Sequence, residues 1–277
     1  MSIPLLFFVH GFRGTIDSFC QFPDELRKDL NDVNIFKYES VSKGEYAVQV
    51  TALADALKRE GGGRPVIIIG HSMGGLLAVD AAIALGSEGS DVDVKGVLAF
   101  DSPFFGIREE LIVDRIEFVL SIPSLILSPI GTIFAIVGAM LSYFSNKQVK
   151  QIVDRWILTQ KEYAKFLAPL WDIKGMTKRF DALKQLKRKL VFKCFYALRS
   201  TAPSATSNLK RSFITHPPPE IISLYDFKPI LYTERIHGDE VDIHMDMFQS
   251  KLHKKAYRNM FTETMTFVTG VLRAKLD

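Results

Sequence analysis

The residues best suited to chemistry are in the peptide Gly70-His71-Ser72-Met73-Gly74-Gly75. An apolar run, Val66-Ile67-Ile68-Ile69, precedes it, and a helix-like run from Leu76 to Ala82 follows. A serine between two glycines, at a tight turn from buried strand to helix, is lifted above the strand ends. Small flanking residues let such a turn pack closely and hold a strained backbone. The amide of Met73 then sits at a helix N-terminus, where a developing oxyanion is favoured. These features suit attack of the Ser72 hydroxyl on a carbonyl carbon.

That attack needs a base, a group to orient the base, and oxyanion donors. For the donors, His10-Gly11-Phe12 follows the first apolar run, and the Phe12 amide can join that of Met73. The base is a histidine late in the chain. Of six histidines, His10 and His71 belong to the loop and the elbow. His216 lies in a Pro-rich stretch, and His253 starts the last helix. Between His237 and His244, His244 is preferred: it falls just before a helix, whereas His237 is close to a strand end. For the orienting acid, Leu198-Arg199-Ser200-Thr201 offers no carboxylate, but Asp101 ends the preceding strand in Phe100-Asp101-Ser102-Pro103. The order Ser72, Asp101, His244 is that of a Ser…Asp…His triad. Asp226, Asp239 and Asp242 are the fallback acids. No metal or organic cofactor is required by such a mechanism.

The elements that must position these groups alternate. Strands are expected from Ile3 to Val9, Asn34 to Tyr38, Pro65 to Ile69, Val94 to Phe100, Leu190 to Ala197 and Ile230 to Arg235. Helices are expected from Phe22 to Leu30, Tyr46 to Arg59, Met73 to Leu85 and about 254 to 275. Alternation of this kind means a mostly parallel sheet with helices on both faces. Ser200 to Pro219 reads as a long surface loop. The chain, at 277 residues, suits one large α/β domain. Charge is nearly balanced at +4, too weak a bias to argue for a nucleic-acid partner, and none is expected. Cys20 and Cys194 make no disulfide framework; both read as buried small hydrophobes in a reducing compartment.

The pattern breaks after Phe105. Phe118 to Asn146 is 29 residues without a charge. A bilayer span needs about 20 apolar residues, but Pro123 and Pro129 interrupt this one. A lid or interfacial hairpin, a transmembrane span and a buried packing element all remain open. A span would divide the core across a membrane, which favours the lid or hairpin. The following run to Lys193 is basic, with Lys174, Lys178, Arg179, Lys184, Lys187, Arg188 and Lys189. It reads either as a solvated face or as a surface for anionic headgroups.

Four segments together, His10-Gly11-Phe12, the Ser72 elbow, Leu98 to Gly106 and Asp239 to Phe248, resemble a fungal-type branch of the lipase-like serine esterases among the α/β-hydrolases. The resemblance runs nearly the whole chain with its motifs in order. It implies an α/β-hydrolase fold over residues 1–277, an acyl-lipid or small-ester substrate, and an intracellular, cytoplasmic or peripherally membrane-associated enzyme. The apolar run itself makes 107–190 a lid or membrane-facing helical insertion, with a membrane or lipid-droplet surface met through 118–146. The resemblance also supports His244 as base. The opposing reading is a non-catalytic hydrolase scaffold that binds a lipid or a membrane partner. A thioesterase or peptidase on the same residues stays open as well.

Overall fold

The structure, a computed structural model, describes residues 2–87, 89–108, 111, 162–186, 190–200, 210–233 and 239–274. In chain order the elements are β1 (Leu5–Val9), α1 (Phe22–Leu30), β2 (Asn34–Tyr38), α2 (Tyr46–Gly61), β3 (Pro65–His71), α3 (Met73–Ser87), β4 (Asp93–Phe100), α4 (Ile173–Lys184), β5 (Val191–Ser200), β6 (Lys210–Arg211), α5 (Pro219–Ile222), β7 (Asp226–Tyr232), α6 (Glu240–Asp246) and α7 (Lys254–Arg273). The strands form one sheet in which β2, β1, β3, β4, β5 and β7 lie side by side and parallel. The two-residue β6 runs antiparallel to Arg199 and Ser200 of β5.

Both faces of the sheet are covered, which explains the unbroken apolar runs of β1 and β3. Successive side chains of a strand point to opposite faces. Leu5, Phe7 and Val9 therefore join one core with α2, α3 and α4, while Leu6 and Phe8 join the other with α1 and α7. Helix α3 is apolar around most of its circumference and is the most enclosed of the described helices in the first layer.

A pair of opposite charges enters that layer. Asp80 of α3 accepts from Arg179 Nε at 2.6 Å and Nη2 at 2.9 Å, and from the Tyr46 hydroxyl at 2.8 Å. The network ties α2, α3 and α4 together. The Arg179 side chain is 8% exposed, so it is no part of a solvated or headgroup-facing basic surface, contrary to the sequence reading. Helix α4, with Met176, Phe180 and Leu183 buried, lies in the connection between β4 and β5. Asp80→Ala leaves the buried guanidinium without its counter-charge, and a loss of about 3 kcal/mol is expected. Urea unfolding checks this, and an unchanged midpoint would deny the pair its structural role.

Three further expectations change. The last strand begins at Asp226 rather than Ile230 and so contains Pro229. Among the described residues strand β7 pairs only with β5, and a proline is tolerated on an edge strand. The stretch from 210 to 216 is not a surface loop: Phe213 and Ile214 are each 1% exposed, and Ile107 bridges Ile214. Cys194 is buried as expected, but Cys20 is exposed. The apolar stretch 118–146, His237 and Lys187 to Lys189 lie outside the described residues. Among the described residues no helix is long and apolar enough to cross a membrane.

Candidate active site

Ser72 sits between the end of β3 and the start of α3, with φ +54°. A non-glycine residue there is strained. The strain is held by its neighbours: the Ser72 amide donates to Phe100 O at 2.9 Å, and Gly75 N donates to Ser72 O at 3.0 Å. Gly74 is required by space, since a Cβ there would lie 2.1 Å from Val9 O. Gly11 packs directly against the serine, a Cβ on it falling 2.7 Å from Ser72 Cβ. The loop carrying Phe12 and the helix start carrying Met73 thus flank the Ser72 hydroxyl.

Asp101 follows β4 immediately and also has positive φ, +45°. Its amide donates to Phe195 O at 2.6 Å, and its Oδ1 accepts from Ala197 N at 3.0 Å. Strand β5 therefore fixes the carboxylate from one side. Its Oδ2 lies 2.7 Å from His244 Nδ1. His244 Nε2 lies 3.1 Å from Ser72 Oγ. With an ionised Asp101, the network assigns the proton to Nδ1, leaving Nε2 to accept from the hydroxyl. The serine, histidine and aspartate are 4%, 2% and 0% exposed, so this polar chain is shielded from bulk water.

His244 lies inside α6 rather than just before a helix. The short helix begins with a capping box: Asp239 accepts from the amides of Val241 and Asp242, and Asp242 accepts from the amide of Asp239. Two of the fallback acids therefore serve the helix start. The third, Asp226, pairs with Lys193 at 2.8 Å, at the opposite end of β7 from α6.

Two residues that the sequence reading did not assign to the base enclose its ring. Phe213 stacks on His244 with centroids 3.9 Å apart and planes at 26°. Its segment is held against residues 106–108 by Arg108 N donating to Phe213 O at 3.1 Å and Thr215 N donating to Gly106 O at 2.9 Å. The other neighbour is His71, 4.7 Å from His244 between centroids. His71 Nε2–H donates to the backbone carbonyl of His244 at 3.1 Å. The alternation of Ser212-Phe213-Ile214 after two basic residues is the one local hint of a short strand. Nothing local indicates which ring Phe213 meets.

Burial, then the adjacent His244, hold His71 well below the usual imidazole range. Burial likewise lowers His10, whose Nε2 accepts from Ser40 N at 3.0 Å while Nδ1–H donates to Gly11 O at 2.9 Å. Both histidines are folded neutral. Below their ordinary value of 6.5 the unfolded chain takes up protons that the folded chain refuses. Their contribution to stability is complete above that value and is lost as pH falls from it toward the depressed folded values. The urea midpoint is expected to drop between about pH 7 and about pH 5, with a shallower slope in His71→Gln. An identical slope in the variant would contradict a neutral His71.

Residues 6–190 match the family model described as alpha/beta hydrolase family. Among solved structures, the chain is similar to a Bacillus licheniformis lipase in its mature form, at 17% identity and TM-score 0.44, over 74% of this chain and 69% of that one. It is similar to a lipase-esterase related protein from Clostridium acetobutylicum, at 17% identity and TM-score 0.46, over 96% and 95%. The RedJ thioesterase of Streptomyces coelicolor gives 18% identity and TM-score 0.44, over 92% and 90%. No curated protein matches the chain. The sequence match spans most of the chain and is to the family as a whole rather than to a branch of it: this protein belongs to the alpha/beta hydrolase family.

Proposed function

We propose that the protein is a serine hydrolase that cleaves a carboxylic ester of an acyl lipid or a small acyl ester. The observation that carries this reading is the continuous contact from Ser72 Oγ through His244 to Asp101, at 3.1 and 2.7 Å. In this reading His244 takes the Ser72 proton as the oxygen attacks the ester carbonyl. Asp101 keeps the imidazole in the tautomer that can accept it and stabilises the imidazolium. The amides of Phe12 and Met73 receive the oxyanion. Collapse expels the alcohol, protonated by His244, and leaves Ser72 acylated. Water, activated by the same histidine, then releases the acid.

A strained serine supports catalysis over an idle scaffold, because a scaffold gains nothing from holding Ser72 at φ +54°. The preference for a lipid rests on the apolar stretch 118–146 within the insertion 107–190, which would serve as a lid or as the contact with a membrane or droplet surface. A fluorophosphonate probe tests the mechanism. Labelling mapped by mass spectrometry to the peptide containing Ser72 is expected. A protein that stays unlabelled, or is labelled elsewhere, overturns the proposal. Relative kcat/KM on matched oxyester, thioester and amide substrates then identifies the bond cleaved.

A further inference from the structure

We infer that Phe213 is a positioning residue for catalysis: the face of its ring stabilises the imidazolium that His244 becomes on taking the Ser72 proton. The inference deepens the serine-hydrolase reading and rests on it for the word catalysis, though not for the contact with a protonated His244. The two ring centroids are 3.9 Å apart and the planes meet at 26°, so one ring lies face-on over the other. Neutral aromatic pairs favour offset or edge-on packing, with centroids about 4.5–7 Å apart. A cation, by contrast, is drawn to the negative face of a ring, and more strongly where water is excluded. Phe213 and His244 are both buried.

The backbone on either side of Phe213 is fixed without help from His244. Residues 106–108 hold it through the Arg108 and Thr215 amides, Ile107 bridges Ile214, and Ser212 Oγ donates to Ile214 O at 2.9 Å. The ring is thus in place before any proton moves, as a preorganised electrostatic group must be. Its attraction grows as His244 gains charge, and only an interaction stronger in the transition state than in the ground state raises kcat. The other titratable groups nearby do different work. Asp101, from the end of β4, meets Nδ1 at 2.7 Å. His71, from β3, is kept neutral by burial and so adds no repelling charge. Glu240, on α6 itself, pairs with Arg199 of β5 at 3.8 Å, and His216, on the segment of Phe213, meets Ser212 Oγ at 3.0 Å.

The test replaces Phe213, in the whole protein, by mono-, tri- and pentafluorophenylalanine, which drain the ring face of negative charge and change its shape little. Phe213→Leu is made alongside. On a nitrophenyl ester kcat is expected to fall stepwise with fluorine number, by about threefold to thirtyfold at the pentafluoro ring. KM should stay within about twofold, since the lost interaction belongs to the transition state. Phe213→Leu should lose at least as much as the pentafluoro protein. In the resting protein, NMR of the His244 ring should show the pentafluoro protein taking up its proton at lower pH than wild type. A role in packing alone follows side-chain shape and leaves the fluorine series flat. A flat NMR series, wild-type kcat in the pentafluoro protein, or a loss confined to Phe213→Leu overturns the inference. Fluorophosphonate labelling of the wild-type protein reads the esterase proposal separately. An unlabelled wild type with the NMR trend intact removes the catalysis and keeps the ring contact, and labelling with a flat series does the opposite.

Discussion

Ser72→Ala is expected to lower kcat on a nitrophenyl ester by about 10⁶-fold, close to 8 kcal/mol of barrier. The hydroxyl contacts His244 at 3.1 Å, and the covalent route has no other start in the proposed mechanism. What remains after its removal is the acceleration that binding and the oxyanion donors supply by themselves. The substitution deletes one oxygen and keeps Cβ, so the packing of Gly11 against Ser72 Cβ survives. Unfolding by urea should therefore be little changed. Wild-type turnover in the alanine variant, with the fold intact, would place the nucleophile elsewhere.

Asp101→Asn should cost about 10⁴-fold in kcat while leaving the structure in place. The asparagine carbonyl can still accept from Ala197 N, the bond that Oδ1 makes at 3.0 Å. The other end then presents an NH₂ to His244 Nδ1, where Oδ2 stood at 2.7 Å. An amide donor forces Nδ1 to accept and puts the ring proton on Nε2, the atom that must receive the serine proton. The damage is thus one of tautomer rather than of fold. Activity within tenfold of wild type would remove Asp101 from the mechanism. Asp239 and Asp242 make poor substitutes, because the start of α6 already uses both carboxylates.

What could be read along the chain was local. Val66 to Ala82 shows strand, glycine turn and helix within one short stretch, and each part follows from residue type. The order of parallel strands follows from their alternation with helices. Non-local facts were less accessible. The start of the last strand was one: Pro229 removes a ladder donor, which matters little on β7, whose one neighbour among the described strands is β5. Arg179 looked like one more cation in a basic run. Its burial depends on Asp80, 99 positions earlier in the chain. The Ser-, Thr- and Pro-rich composition from 200 to 219 suggested solvent. Phe213 nevertheless finds a ring to cover in His244, which belongs to a different element.

By itself the sequence determined the elbow at Ser72, the alternating architecture and a short set of candidate partners, because strand period, glycine spacing and helix starts are properties of neighbouring residues. Only the tertiary structure decided which carboxylate meets which imidazole. Asp101 and His244 stand 143 positions apart and come within 2.7 Å because β4 and β5 are adjacent strands and α6 returns over their ends. Contact across such a separation is set by sheet order and helix docking, which depend on the packing of the whole core rather than on any local spacing.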